Sequence, residues 1–319
     1  MKFFGKMNVF KTFTFLALIS ILSGCNSSEE KNDLQTAPTN NEKVKVMTNR
    51  TISNEFKEYW FSEKAEITSF KLMQERYGEI REGTAVTIFV SEAFLPNEQV
   101  KANNSSKENI SVLKLNQMKN FNTGIYPYSI MTSTFSPIVN NEHALKVSNS
   151  VQEWCGQVYM QLNNRKNFEI ESHSYFEGEA DREISLPKNW LENELWNIIR
   201  LNPEELPTGD LKIIPSFEYL RLRHKEVKEY NASAMLKQGD SLTTYTLNYP
   251  DLQRQLTLFF HSKFPYEIEK WEEVNASNAN DSLQLKTTAT KIKRIRSAYW
   301  NENKNDHLHL RDSLQLNKF

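Results

Sequence analysis

Hydrophobic and polar residues alternate with a period of two along many segments of this chain. Between Trp154 and Leu162, one set of alternate positions reads Trp, Gly, Val, Met, Leu, and the set between them reads Cys, Gln, Tyr, Gln. Because successive side chains of a strand point to opposite faces, this alternation predicts antiparallel strands with one buried and one solvated face. Similar candidate strands, separated by turn residues, lie near 65–73, 85–90, 111–118, 125–134, 144–148, 168–175, 211–217, 226–236, 242–249, 255–260, 268–274 and 283–295.

One segment, near 190–201, has the helical period instead. Its apolar stripe consists of Leu191, Leu195, Ile198 and Ile199. Asn189 is the predicted N-cap, with Glu192 three residues later as in a capping box, and Asn202-Pro203 ends the run. We therefore expect a mainly β protein, with α+β as the alternative. The strands would form a long antiparallel meander, as a curved sheet or a partly closed barrel or sandwich with one internal helix.

The N-terminus has the features of a lipoprotein signal peptide. Three lysines and no acid precede an apolar stretch of about eleven residues, which is too short to span a bilayer. The stretch ends in Leu22-Ser23-Gly24-Cys25, which resembles the lipobox of bacterial lipoproteins, where the cysteine receives a diacylglyceryl group. We expect residues 1–24 to be removed and Cys25 to be lipidated; an ordinary secretory signal is the alternative.

The rest of the chain then divides into three parts. Residues 25–50 comprise the lipidated cysteine and a polar segment without aromatic residues, which predicts a disordered tether. Residues 51–300 form a β-rich domain with a possible subdivision near 151, and residues 301–319 form a polar tail. The predicted location is the outer membrane, facing the periplasm or the cell surface. Asn26 stands where an aspartate retains some lipoproteins in the inner membrane, and Glu29 and Glu30 either resemble surface-export signals of Bacteroidetes lipoproteins or belong to the polar tether.

Charge and composition limit the possible partners and cofactors. Lys+Arg 39 against Asp+Glu 40 gives a formal charge of −1, which signal-peptide removal takes to −4, so no global basic field exists to hold nucleic acid. The chain has only 9 glycines, which argues against glycine-rich phosphate loops. Its aromatic residues, at 12%, are numerous enough to build a sizeable core. Cys155, which has no thiol partner once Cys25 is lipidated, is predicted to be a small buried residue rather than a nucleophile.

Catalytic and metal-binding motifs are missing from the sequence, which has no G-x-S-x-G, H-E-x-x-H or C-x-x-C. We therefore predict no catalytic residue, no cofactor and no metal ligand. Two groups of residues are weak candidates for a catalytic or metal-binding site, and for each of them a solvated surface is the simpler explanation. Glu169 and Glu171 would share a strand face with His173 and Tyr175, as acid–base groups or cation ligands, and His307 and His309 beside Asp306 resemble a partial metal site.

A basic and aromatic cluster lies near the C-terminus. It consists of Lys291, Lys293, Arg294, Arg296 and the pair Tyr299-Trp300. Such clusters hold anionic lipid headgroups or polysaccharide, although lysines that protect a strand edge are the simpler explanation.

Several segments together resemble a family of flavobacterial (Bacteroidetes) envelope lipoproteins, from about Glu58 to Leu316. They are Lys64–Phe70, Arg76-Tyr77-Gly78-Glu79, Tyr126-Pro127-Tyr128-Ser129, Val151–Gly156, Gln161–Arg165 and Ser174–Glu179. Some members bear the name "septum formation inhibitor Maf", but genuine Maf proteins are cytoplasmic nucleotide pyrophosphatases with a Ser-x-Ser-Pro-Arg-Arg segment. Here the only Ser-Pro, Ser136-Pro137, is followed by Ile138 and Val139. The resemblance implies an envelope lipoprotein and supplies no established active site.

Two functional hypotheses follow. The first is a non-enzymatic lipoprotein, held at the membrane through Cys25, whose β-rich domain binds a lipid, a glycan or a protein partner. An apolar cavity inside the sheet would favour lipid, and a solid core would favour a protein-interaction or structural role. The alternative is a carboxylate-dependent envelope hydrolase, which requires residues such as Glu169 and Glu171 to converge in a cleft.

Overall fold

One curved sheet of sixteen strands dominates the computed structural model, which describes residues 48–104, 106–275 and 285–316. The prediction of a mainly β protein is confirmed, and the sheet is strongly curved but not closed. The signal peptide, Cys25 and nearly all of the predicted tether lie outside the described residues. Within the described part of the chain, no helix is long and apolar enough to cross a membrane.

The elements follow one another with short connections. The strands are β1 (Ala65–Arg76), β2 (Glu79–Leu95), β3 (Val100–Lys101), β4 (Ile110–Thr123), β5 (Tyr126–Pro137), β6 (Lys146–Glu153), β7 (Gly156–Asn164), β8 (Phe168–Ser174), β9 (Arg182–Leu186), β10 (Trp190–Leu191), β11 (Gly209–Ile214), β12 (Tyr230–Lys237), β13 (Leu242–Tyr249), β14 (Arg254–His261), β15 (Ile268–Asn275) and β16 (Lys286–Ser297). The helices are α1 (Asn54–Trp60), α2 (Glu192–Leu201), α3 (Phe217–Leu222) and α4 (His309–Ser313).

The order of strands explains the curvature. It runs β10-β11-β12-β13-β14-β15-β16-β1-β2-β4-β5-β6-β7-β8-β9, with β3 paired to β2. All described pairs are antiparallel except β10 with β11. The two ends of this order, β9 and β10, are joined by only the residues between Leu186 and Trp190, so they lie within about 14 Å of each other. The sheet must therefore curl until its two edges approach.

Helix α2 fills the concave side of the curled sheet, and all ten of its residues are buried. Asn197 fixes it to the sheet, because its Nδ2 donates to the carbonyl oxygen of Leu113 (2.8 Å) and to Oγ of Ser136 (3.0 Å). The ring of Trp196 packs against that of Trp271 on β15 with centroids 5.1 Å apart. Helix and sheet thus share one aromatic core, and the predicted internal helix is confirmed.

The predicted N-cap of this helix is wrong by two residues. Asn189 accepts a hydrogen bond from the N–H of Trp190 (2.7 Å), and the helix begins only after Leu191, whose N–H donates to Oε1 of Glu194 (3.2 Å). Trp190 and Leu191 pair with β11 as a short parallel bridge, which holds them in an extended conformation. Tertiary pairing has therefore moved the helix start beyond the capping residue that the sequence favours.

Two further segments differ from the sequence expectation. The segment predicted as strand to 217 ends at Ile214 and is followed by α3, capped by Ser216 Oγ, which accepts from the N–H of Tyr219 (3.3 Å). The polar tail packs against the outer face of the sheet, where Leu314 is buried near Ala65 and its carbonyl oxygen accepts from Ser69 Oγ (2.6 Å). The outward face of β1 is therefore covered as well as its inward face.

Candidate functional site

Four hairpin tips present large apolar or aromatic side chains at one end of the sheet. Because neighbouring strands run in opposite directions, the turns β1–β2, β4–β5, β6–β7 and β8–β9 all lie at this end, about 10 Å apart. Their most exposed large side chains are Tyr77 (58%), Ile125 (82%), Trp154 (67%) and Tyr175 (76%). With Tyr126, these residues form what we call the aromatic rim.

Ring contacts connect three of the four tips. The ring of Tyr126 lies 6.4 Å from that of Trp154 and 6.0 Å from that of Tyr128, between centroids. Tyr128 in turn shares a hydrogen bond between hydroxyls with Tyr77 (2.9 Å) and stacks on Phe121 at 5.0 Å. Since Phe121 belongs to the core, the rim is supported from below by packed rings.

Tyr175 reaches the rim because of a glycine on the neighbouring strand. A Cβ atom at Gly156 would lie 2.8 Å from Cδ1 of the Tyr175 ring, closer than van der Waals contact permits. The ring therefore lies directly against the backbone at the start of β7. This close approach places Tyr175 beside the tip that carries Trp154.

Tyr77 has an unusual backbone conformation for an aromatic residue. It lies at φ +56°, followed by Gly78 at φ +73°, in the two-residue turn between β1 and β2. Such turns favour Asn or Gly at the first position, and a bulky side chain there costs of the order of 1 kcal/mol or more. The conformation lays the Tyr77 ring over Arg76, whose Cζ is 4.1 Å from the ring centroid. Burial and the hydrogen bond with Tyr128 raise the pKa of Tyr77.

Arg76 lies directly beneath this ring and is only 6% exposed. Its Nη1 donates to the carbonyl oxygen of Leu222 (2.5 Å), and its Nη2 donates to the hydroxyls of Tyr77 (3.0 Å) and Tyr128 (3.2 Å). No carboxylate of the described residues forms an ion pair with it. The guanidinium is thus held by neutral oxygens and by two aromatic faces.

Behind Arg76 lies a small, partly open cavity between α2, α3 and strands of the sheet, which we call the polar cavity. Its volume is about 40 Å³, enough for about three water molecules. Eight charged residues line it: Glu75, Arg76, Lys119, Glu192, Glu218, Arg223, Arg254 and Glu273. The four carboxylates and four cations balance, and the cavity is far smaller than the roughly 300–1,000 Å³ of ordinary ligand pockets.

Most charges around the polar cavity are paired. Arg254 donates to both oxygens of Glu192 (2.5 and 2.8 Å) and through Nε to Glu273 (2.7 Å). Lys119 pairs with Glu218 at 2.7 Å, and Arg223 pairs with Glu75. Burial opposes the ionised form of Glu273, but the charges of Arg254 and Lys119 outweigh it and hold the pKa of this carboxyl below its usual range.

Tyrosines complete the surroundings of Arg254. Its Cζ lies 4.1 Å from the ring centroid of Tyr219, and burial raises the pKa of Tyr219 to about 12. Tyr249 donates its hydroxyl to Glu192 at 2.7 Å, and burial together with the Glu192 charge raises its pKa well above the ordinary value. Both hydroxyls therefore stay protonated at neutral pH and can donate.

A second buried ion cluster lies at the other end of α2. Arg200 donates to both oxygens of Glu66 (2.5 and 2.6 Å) and through Nε to the carbonyl oxygen of Pro265 (2.9 Å). Its Cζ lies 5.0 Å from the Trp60 ring and 4.7 Å from the Phe89 ring. All guanidinium nitrogens are occupied, and the side chain is wholly buried.

His261, Glu267 and Glu269 bring metal-ligand atoms within 4.8 Å of one another near the start of β15. Arg294 pairs with Glu267 (3.1 Å) and with Glu269 (2.9 Å), and Lys291 also pairs with Glu269. These cations occupy the carboxylates that a metal ion would need. We interpret the group as a surface ion-pair network that the sequence pattern did not reveal.

Part of the predicted basic and aromatic cluster belongs to this ion-pair network. Lys291 and Arg294 are engaged with carboxylates, and Arg296 lies with its Cζ 4.0 Å from the ring centroid of Tyr59. Lys293 is exposed on the same strand. The cluster is therefore divided among separate contacts along β16.

The acidic candidates lie on the outer face of β8, away from the polar cavity. Glu169 and Glu171 are exposed, and Glu169 accepts a hydrogen bond from Ser185 Oγ at 3.0 Å. Glu171 stands opposite Glu183 in the register of β8 and β9, and His173 lies 3.4 Å from Asp181. The structure thus places this row on a solvated face of the sheet, near its edge, where Glu171 and His173, but not Glu169, line a shallow open depression with Asp181 and Glu183.

The prediction that Cys155 is buried is wrong. The residue is exposed at the tip between β6 and β7, because the strand begins only at Gly156. A hydrogen bond with Glu153 and the charge of its carboxylate raise the pKa of the thiol, which lowers its thiolate fraction. Farther along the chain, His307 and His309 lie in the short helical segments near the C-terminus, where Nδ1 of His309 is 2.7 Å from the Asp306 carbonyl oxygen.

Sequence reasoning missed both the aromatic rim and the polar cavity. The available signal was Tyr77-Gly78 between two predicted strands, because an aromatic residue is unusual in a two-residue turn. Four segments that carry the lipoprotein resemblance meet at this end of the sheet: Arg76–Glu79, Tyr126–Ser129, Val151–Gly156 and Ser174–Glu179. Nothing in their spacing along the chain indicates that they converge.

Comparison of the chain with known protein families, with curated proteins and with solved structures found no match. A functional assignment therefore depends on the exposure, contacts and charges of the residues themselves. The two regions with distinctive chemistry are the aromatic rim and the polar cavity beneath it.

Proposed function

We propose that this chain is a cell-envelope lipoprotein, anchored through Cys25, whose β-rich domain binds a protein partner at the aromatic rim without catalysing a reaction. The observation that carries the proposal is the convergence of exposed Tyr77, Trp154 and Tyr175 at one end of the sheet. Trp, Tyr and Arg are the residues most enriched among the energetic centres of protein interfaces.

The support beneath the rim favours binding by a preformed surface. The rings of Tyr126 and Tyr128 join the tips to one another, and Phe121 joins them to the core. A rigid set of aromatic side chains loses little conformational entropy when a partner docks. Tyrosine and tryptophan also combine an apolar ring with a polar group, which suits a surface that is wet when free and buried when bound.

The interior supports a protein partner over a lipid. The concave side of the sheet is occupied by α2 and by large rings such as those of Trp196 and Trp271. The polar cavity is lined by eight charged residues and holds only about 40 Å³. An acyl chain needs a longer and apolar space, so the described interior does not suit a lipid carrier.

Site-specific photo-crosslinking in intact cells tests the proposal. A benzophenone amino acid would replace Trp154 in one strain and Trp300 in another, since Trp300 is also exposed (43%) but lies away from the rim. We expect one discrete, protease-sensitive adduct from position 154 and none from position 300. Excess soluble wild-type domain should compete for the adduct, and the Tyr77→Ala, Tyr175→Ala double variant should not.

Three results would contradict this function. Equal adducts from positions 154 and 300 would indicate non-specific contact. An adduct that resists protease but yields to a muramidase would indicate a glycan partner. Release of substrate-derived product by the pure protein, lost in the Glu169→Gln, Glu171→Gln variant, would instead support the envelope hydrolase.

A further inference from the structure

Arg76 differs from every other cation that lines the polar cavity. Lys119, Arg223 and Arg254 each pair with at least one carboxylate. Within the part of the chain that the structure describes, the hydrogen-bond partners of Arg76 are only a carbonyl oxygen and two phenol hydroxyls. Burying a charge without a counter-charge is costly, and buried arginines are nearly always paired. The arrangement therefore leaves a cationic group that an additional anion would stabilise.

Three atoms of the lining residues also lack hydrogen-bond partners within the described chain. They are Nε of Arg76, Oε1 of Gln74 and Oδ1 of Asn275, and all three side chains belong to buried residues. One is a donor on a cation and two are acceptors. Buried polar groups are usually hydrogen-bonded, and a polar molecule that brings both donors and acceptors would satisfy these three atoms.

The orientation of the two amides follows from their other contacts. Nε2 of Gln74 donates to the carbonyl oxygen of Glu75 (3.1 Å), and Nδ2 of Asn275 donates to Oε1 of Glu273 (3.3 Å). Both contacted atoms are oxygen acceptors, which attract the amide nitrogen and repel the amide oxygen. The side-chain oxygens of Gln74 and Asn275 are therefore the atoms that lack partners. An occupant must therefore bring donors to them as well as an anionic group to Arg76.

We propose that the polar cavity binds a small carboxylic acid that also carries a hydrogen-bond donor, of the α-hydroxy or α-amino acid class. Its carboxylate is placed at Arg76, and its hydroxyl or ammonium group donates to Gln74 or Asn275. The volume of about three water molecules suits a ligand of the size of glycolate or glycine. This ligand is not the partner proposed at the aromatic rim, although the two sites share the Tyr77 side chain, which covers Arg76.

The position of Arg76 relative to solvent allows entry. The Tyr77 ring covers it and is more than half exposed, and the Arg223 and Glu218 side chains of the lining are partly exposed as well. Tyr77 lies at a hairpin tip with no strand beyond it. The cavity itself is partly open, so a small ligand can enter it without a rearrangement of the backbone.

Ligand-observed NMR and calorimetry on the full purified chain test the site with four probes. Glycolate and glycine carry both required groups, acetate lacks the donor, and ethanolamine lacks the carboxylate. We expect glycolate or glycine to bind about tenfold or more tightly than acetate, and ethanolamine to show no saturable binding. The Nε–Hε resonance of Arg76 should shift on addition of the ligand.

The matched variants are Arg76→Lys and Arg81→Lys. Arg81 lies across the same hairpin and also has an unpartnered Nε, but it pairs with Glu79 at 2.7 Å and does not line the cavity. Arg76→Lys should weaken glycolate binding about tenfold or more while Arg81→Lys leaves it unchanged. Asn275→Leu, away from the hairpin, serves as the second cavity variant if Arg76→Lys does not fold.

Several outcomes would overturn the proposal. They are the absence of saturable binding by any probe to the folded wild-type chain, equal affinity for acetate and glycolate, or equal losses in the Arg76 and Arg81 variants. Unchanged binding in a folded Gln74→Leu, Asn275→Leu double variant would also exclude the assigned donor contact. Crosslinking from position 154 reports on the rim separately, so failure of one proposal is distinguishable from failure of the other.

Discussion

Each end of helix α2 carries a buried ion pair, but the surroundings of the two pairs differ. At the C-terminal end, Arg200 pairs with Glu66, and at the N-terminal end, Glu192 pairs with Arg254; each arginine makes a two-oxygen contact and lies against two aromatic rings. The signs suit the helix dipole, which favours an acid near the first turn and a base near the last. Among the described residues, only the N-terminal end borders the polar cavity and an arginine without a carboxylate partner.

The hydrogen bonds within the two ion pairs are similar, so the difference between the ends lies in the neighbouring side chains. Arg200 uses every guanidinium nitrogen and is wholly buried, and we call this the sealed end; beside it, Nε1 of Trp60 lacks a partner among the described residues. Arg254 is equally well bonded, but its neighbours Gln74 and Asn275 retain free acceptors. The cavity and its unpartnered acceptors, and not the strength of the ion pair, therefore distinguish the two ends.

The sealed end should be the most sensitive part of the fold. Arg200→Met leaves the Glu66 carboxylate buried beside only Arg294 and Tyr59, and we expect it to lower the free energy of unfolding by about 3–5 kcal/mol. Urea unfolding measures the change. The Arg200→Met, Glu66→Leu double variant should recover most of the loss, and a double variant as unstable as the single one would contradict this account.

The cavity end should respond less to the same substitution. Arg254→Met frees Glu192 and Glu273, but water in the polar cavity and the nearby Lys119 can stabilise their charges, so we expect a loss of about 2–4 kcal/mol. Adding Glu192→Leu should restore little, since Glu273 remains. Equal losses and equal recovery at the two ends in urea unfolding would remove the distinction between them.

Acid should weaken both ends together. Burial favours the protonated carboxyls, but Arg200 and Arg254 outweigh it, and the pKa values of Glu66 and Glu273 lie below their ordinary value of 4.5. Since the folded pKa values are lower than the unfolded ones, these groups contribute fully above about pH 5, and the contribution disappears as pH falls through the folded values. Thermal melting from about pH 6 to pH 3 should show this loss, and Glu273→Gln should reduce its slope.

The smallest effect is expected at Tyr77, where rim and cavity meet. Tyr77→Asn relieves the left-handed strain, since Asn tolerates φ near +56°, but removes the ring that lies over Arg76. The two effects oppose each other, so the free energy of unfolding should change by less than about 1 kcal/mol. A loss well above that in urea unfolding would show that the ring is a structural support.

Prediction from sequence succeeded where the signal is local. The alternation in β7 correctly assigned Val158, Met160 and Leu162 to the buried face, and the apolar stripe of α2 correctly located the internal helix. Prediction failed where contacts with a segment distant in the sequence determine the local structure. Asn189 is a good cap, yet pairing of Trp190 with β11 moved the helix start, and Cys155 lies at a turn that the alternation had assigned to a strand.

The candidate sites were beyond prediction for a related reason. In α2, the charged residues Glu192 and Arg200 look like the solvated face of an amphipathic helix, because a sequence does not show that the sheet wraps around all sides. Their partners are 62 and 134 residues away. The tips that carry Tyr77, Trp154 and Tyr175 are likewise spread along the chain.

The sequence by itself determined the strands, the internal helix and a predicted anchor at Cys25, because turn residues, side-chain alternation and a lipobox are local properties of the chain. Tertiary structure alone decided which hairpin tips meet, which charges find partners and where a cavity remains. Those outcomes depend on how far the sheet curls around α2, which is set by contacts among residues remote in sequence. The same Arg-Tyr-Gly segment would be an ordinary turn on a flat sheet; on this curled one it lies beside the polar cavity.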